Sequence, residues 1–159
     1  MNNRNDLLAL LVIVLCAFFY AYNIYSATGI YDLNDGLAHF AIARYAPAHP
    51  ALFLDHWGKP LFTLISSPFT VLGIKGVMLM NTLLFALTSW FVVQISKALE
   101  LKFAWAAPIL LAFMPVYFLT VMGGLTEVLF AALLSAGLWA FAKERFLLAA
   151  FIISWLPFA

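Results

Sequence analysis

Two short fragments hold most of the side chains able to do chemistry: Asn34-Asp35-Gly36-Leu37-Ala38-His39-Phe40-Ala41-Ile42-Ala43-Arg44 and Trp57-Gly58-Lys59-Pro60-Leu61. Asn34 fits a helix N-cap, which puts Asp35 at the first helical position. Asp35 and His39 are four residues apart and share a helix face. Leu37, Phe40 and Ala41 point roughly the other way, with Arg44 among them. Such a helix lies along a membrane surface with Asp35 toward water or a substrate. A helix N-terminus favours negative charge, so Asp35 is expected to be ionised there. An ionised carboxylate is a general base toward a hydroxyl or amine nucleophile. The plainer role, support of the helix start, fits the same residue.

Lys59 stands directly before Pro60, and a residue before proline is expected to be extended. From there its ammonium can meet a phosphate as a point charge, or simply snorkel to the headgroup layer. Glu127 follows Gly123-Gly124-Leu125-Thr126 and opens an apolar run. An acid at a membrane boundary is a functional candidate, and a helix N-terminus welcomes it for structural reasons alike. His39, His49 and His56 with Asp35 and Asp55 match no standard metal-ligand spacing. No metal or other cofactor is expected; a divalent cation is compatible with the chemistry but has no residue pattern behind it. No glycine-rich phosphate loop, nucleophile elbow or cysteine pair is present. Trp57, Tyr25, Tyr31 and Tyr45 read as interface anchors.

These residues need a scaffold, and composition says what kind. Of 159 residues, 66% are hydrophobic and 9% charged, where a soluble domain carries about 25% charged. The chain reads as an all-α polytopic membrane protein. A net charge of +1 points to no nucleic-acid partner. The lone Cys16 lies in the first apolar run and allows no internal disulfide.

The apolar runs are Leu7–Tyr25, Pro60–Leu72, Gly76–Ser96, Phe103–Val121, Leu125–Ala142 and Phe146–Ala159. The first is too long for a signal-peptide core of about 7–15 residues and is expected to be an uncleaved transmembrane helix. Pro60–Leu72 would make a helix of about 20 Å, too short for a hydrocarbon core of about 30 Å, and Pro68 interrupts it. It is expected to return to its own side as an interfacial or half-inserted segment. The inner segments then hold Arg4, Lys97, Lys102, Lys143 and Arg145, and the outer side keeps Arg44, Lys59 and Lys75, as the positive-inside rule prefers. The N-terminus is thus expected in the cytoplasm, the loop Ser26–Lys75 outside, and the Met122–Thr126 turn outside as well. Phe146–Ala159 is shorter than the roughly 17 residues of a minimal span, which suggests a chain that continues beyond it. Repeats and flexible linkers are absent, so residues 1–159 read as one domain or part of one.

The order of these motifs resembles the C-type membrane glycosyltransferase superfamily, most closely the bacterial relatives of protein mannosyltransferases and the lipid A aminoarabinose transferases. A first transmembrane helix is followed by Asp35 at the head of an amphipathic helix, by Ile42-Ala43-Arg44, and by Lys59-Pro60-Leu61 opening the next apolar segment. Thr126-Glu127 with Leu129-Phe130 resembles a second acidic motif of that superfamily. Gly36 stands where many members have a second acid, and Leu61 where many have a second proline. The resemblance implies a C-type transmembrane helix bundle whose long first external loop carries interfacial helices, residues 1–159 being the N-terminal part of one such domain.

It also implies a function. A sugar passes from a polyprenyl-phosphate donor to a lipid, glycan or protein acceptor at the outer face of the cytoplasmic membrane. Asp35 would be the catalytic base, and Lys59, His39, Arg44 and Glu127 would bind substrate. Two other classes stay open. A transporter or lipid flippase would place ionisable groups at the membrane midplane on broken helices, whereas the central parts of the spans here carry no charges apart from boundary Glu127, and Gln94, Asn81 and Ser89 are the notable polar residues within Gly76–Ser96. A non-catalytic assembly subunit would tolerate loss of both Asp35 and Lys59.

Overall fold

The computed structural model describes residues 3–29 and 34–159, with side chains from Asn5 onward. Tyr31 as an interface anchor and the Arg4 side chain lie outside the described residues. Among those described, all regular structure is helical. Helix α1 spans Asn3–Ser26 and α4 spans Ile74–Ala98; both are long and apolar enough to cross a membrane. Between them come α2 (Asp35–Tyr45), a 3-10 turn (Pro50–Leu54), α3 (Pro60–Ser66) and a second 3-10 turn (Ser67–Leu72). After α4 follow α5 (Ala107–Ala112), α6 (Pro115–Gly123), α7 (Glu127–Ala142) and α8 (Phe146–Ile153).

Helices α1 and α4 run antiparallel and are pinned at both ends. Lys97 near the end of α4 forms an ion pair with Asp6 near the start of α1. At the other end, the Lys75 ammonium donates to the Tyr25 carbonyl at 3.1 Å. The segment between α1 and α4 therefore leaves and returns at one end of the pair. Pro60–Leu72 makes only two short helical pieces, with Pro68 at the head of the second, so its geometry agrees with a segment that does not cross.

The apolar run Phe103–Val121 is not one continuous helix. It breaks into α5 and α6, with a bend of 64° between them. Pro115 is the cause: it has no amide hydrogen and its ring excludes the carbonyl one turn back. The bend frees the Ala112 carbonyl from a partner in its own helix. The fully buried Tyr20 on α1 donates its hydroxyl to that oxygen at 3.1 Å. Its ring lies 4.9 Å from Phe85 and stacks on Phe118 at 5.5 Å. Broken helices inside a membrane survive where a neighbour supplies the missing hydrogen bond, and Tyr20 does so here. With the bent pair taken as one, up to three elements are long and apolar enough to span.

Two apolar clusters hold the bundle. One joins Val12, Cys16, Tyr20 and Ile24 of α1 to Met78 and Phe85 of α4 and to residues of α5, α6 and α7. The other joins Phe62 of α3 to Val77 and Met80 of α4 and Leu129 of α7. The second cluster ties the α2–α3 region down onto the helix ends. Gly124, at φ 70°, closes α6 in the left-handed conformation, which glycine takes without steric cost. The chain then reverses into α7. The expected run Leu125–Ala142 becomes a 16-residue helix, about 24 Å long, because its first residues belong to that reversal.

Candidate functional site

Helix α2 starts at Asp35, with Asn34 in the N-cap position and its carbonyl accepting the Ala38 amide at 3.0 Å. Asp35 and His39 share a face as their spacing requires, but that face does not simply look into water. Asp35 is exposed, whereas His39 is buried and its ring meets Phe62 edge-on at 5.8 Å. Leu37, expected on the apolar face, is half exposed. The amphipathic division read from the sequence is therefore rotated. The cause is tertiary: α3 and the second 3-10 turn pack against α2, and His39 faces Phe62 of α3.

Lys59 corrects a second expectation. It is not in the ordinary extended region but at φ 58°, ψ 108°. A non-glycine residue at positive φ costs free energy and is kept only where its surroundings impose it. The surroundings are specific. The Asp55 carboxylate accepts the amide hydrogens of Trp57 at 2.8 Å and Gly58 at 3.0 Å. Those two bonds, with the neighbouring His56, hold the Asp55 carboxyl below the usual carboxylate range. Thr63 donates its hydroxyl to the Gly58 carbonyl at 2.8 Å and its amide to the Lys59 carbonyl at 2.8 Å. Gly58 is jammed against α2: a Cβ there would come within 2.7 Å of Ile42 Cγ2 and 2.8 Å of Thr63 Oγ1.

The outcome is one cavity of about 370 Å³ lined by Asp35, His39, His56, Trp57, Lys59, Thr126 and Glu127, within the usual range for ligand pockets of roughly 300–1,000 Å³. Three separate stretches meet there: the head of α2, the turn before α3 and the head of α7. Glu127 is exposed at the first position of α7, and Thr126 before it is buried. Asn81 of α4 donates its side-chain amide to the Leu125 carbonyl at 2.9 Å, anchoring the approach to Glu127. The cavity thus offers two carboxylates, one ammonium, two imidazoles and an indole on one surface.

Arg44 is the proposed binding residue not brought to this cavity. Its guanidinium donates to the Thr70 carbonyl at 3.1 Å, tying the end of α2 to the second 3-10 turn. His56, Trp57 and Thr126 line the cavity although sequence reasoning gave them no binding role. The signal for the first two was the Asp55-x-x-Gly58 spacing, an Asx-type turn that displays the residues between. Among the described residues, no group of three His, Cys, Asp or Glu side chains is placed to hold one metal ion. Compared with models of known protein families, with curated proteins and with solved structures, the chain matches none.

Proposed function

We propose that this chain belongs to a multi-pass membrane glycosyltransferase that moves a sugar from a polyprenyl-phosphate-linked donor to a lipid, glycan or protein acceptor. The observation that carries the reading is the convergence of Asp35, Lys59 and Glu127, from three distant stretches, on one cavity. A phosphate needs a cation, and Lys59 supplies it. The residues after Lys59 suit a lipid tail: Pro60 and Leu61, with Phe53, Leu54 and Leu64, line an apolar groove of about 230 Å³. In the proposed reaction Asp35 takes the proton of the acceptor hydroxyl or amine. The acceptor atom bonds to the anomeric carbon with inversion as the bond to the phosphate oxygen breaks. The polyprenyl phosphate leaves with the electron pair, and Lys59 offsets its charge. Glu127 and His39 orient sugar or acceptor hydroxyls, and Arg44 steadies α2.

The resemblance described above and the charge distribution support an outer-face location in the cytoplasmic membrane. The cavity is at the end where α1 hands over to the loop, while Lys97 pairs with Asp6 at the other end. Helix α7 starts at the cavity, so Lys143 and Arg145 fall at the end that Lys97 marks. Cations gathered there orient that end to the cytoplasm.

A second reading, a transporter or lipid flippase, draws on α4, where Asn81 Oδ1 and Ser89 Oγ are buried with no hydrogen-bond partner among the described residues. Two assays on the full chain separate them. The transferase reading expects Asp35→Asn to insert normally and lose about 10²–10⁴-fold in sugar transfer, the usual range for a general base. Full transfer by that variant sinks the reading. Uptake into vesicles by the wild type, without transfer, favours the alternative.

A further inference from the structure

The strained backbone at Lys59 has no explanation in local propensity, because a lysine before proline has an easy extended conformation open to it. The bonds around it answer what holds it. Asp55 grips the turn from the N-terminal side through the amides of Trp57 and Gly58. Thr63, fully buried, grips it from the C-terminal side through the carbonyls of Gly58 and Lys59. Gly58 between them is seated on Ile42 of α2, with no room for a Cβ. The turn is therefore referenced directly to the helix whose first residue is Asp35. Strain persists at such a position only when the surroundings over-determine it, and it clusters where a side chain must be pre-set for a ligand.

We propose that Asp55 and Thr63 are positioning residues: braced on Ile42 at Gly58, they force Lys59 into its positive-φ conformation and so hold its side chain in the cavity with Asp35. The inference rests on the reading of Lys59 as the phosphate ligand. Neither residue touches the ligand; each acts through Lys59. Asparagine at position 55 keeps a carbonyl oxygen able to accept the same two amide hydrogens, so the brace requires an acceptor, not a charge.

The test is binding of a short polyprenyl monophosphate, farnesyl phosphate, to the full chain in lipid nanodiscs, read by isothermal titration. Lys59→Gln is expected to weaken binding about tenfold or more, as loss of a charge-assisted contact does. Asp55→Ala is expected to match that loss, Asp55→Asn to restore wild-type binding, and Asp55→Ala/Lys59→Gln to bind no worse than Lys59→Gln alone. Thr63→Val, which keeps the shape and deletes the hydroxyl, gives an independent intermediate loss if Asp55→Ala does not fold. Wild-type binding by Asp55→Ala, or by Thr63→Val where Asp55→Ala does not fold, overturns the brace and leaves the phosphate reading intact. So does a double variant weaker than Lys59→Gln by the full Asp55→Ala factor. Equal binding by wild type and Lys59→Gln removes the phosphate reading itself, and the brace with it.

Discussion

Lys59 shows how one residue can trade stability for position. At φ 58° it carries strain of about 1–3 kcal/mol, which a glycine, lacking a Cβ, feels less. Lys59→Gly is therefore expected to gain stability, by up to about 1 kcal/mol after the entropy cost of the added glycine, while losing transfer activity. Thermal unfolding beside a transfer assay checks it, and a fall in both quantities argues against stored strain. Asp55 makes a pH statement. Its carboxyl sits below the usual value of 3.8 in the fold, so the anion is favoured by folding. The contribution is fully present above the unfolded value and is lost as pH falls through the lowered one. Unfolding profiles of wild type and Asp55→Asn should thus run parallel from pH 5 to 8 and converge only in stronger acid. Asp35 and Lys59 were legible as candidates because charge is rare in this chain. Asp55 was not, because its role depends on which amides it faces.

At the scale of the element, the bend between α5 and α6 is the instructive case. Pro115 was visible in the sequence, yet hydropathy joined Phe103–Val121 into one run, since a single proline hardly lowers the mean of so apolar a stretch. The bend is stable because α1 places Tyr20 against the freed carbonyl of Ala112. Tyr20→Phe keeps the ring contacts and removes only that bond, leaving a buried carbonyl unsatisfied. A loss of about 1–3 kcal/mol is expected, read as a lowered Tm of the purified protein with little change in helix content. An unchanged Tm would mean that another donor reaches Ala112. Helix α2 teaches the converse: its start at Asp35 was legible from Asn34-Asp35, but its buried face was not. A helix with apolar residues on most sides lets its neighbours choose the face they cover.

For the whole molecule, the paired ends of α1 and α4 make the most direct prediction. The loop leaves and returns at one end, so exposed Ala48 and exposed Glu144 should lie on opposite sides of the membrane. Ala48→Cys is expected to react with an impermeant maleimide added outside sealed cells, and Glu144→Cys only after permeabilisation. Native Cys16 is buried in the α1 core and contributes no background. Labelling of both from one side would mean that Pro60–Leu72, or α7, is placed differently across the bilayer.

Composition and hydropathy were enough for the helical class, the apolar segments and the short list of charged residues worth attention. They were enough because lipid demands long apolar helices and makes every retained charge conspicuous. Tertiary structure alone decided which of those charges meet. Asp35, Lys59 and Glu127 lie on three stretches whose spacing carries no record of their proximity, and Arg44, two residues beyond Ile42, turns to a carbonyl instead. Packing around Phe62, Gly58 and Leu129 brings the first three to one cavity, and such contacts follow from shape across the fold, which no local pattern encodes.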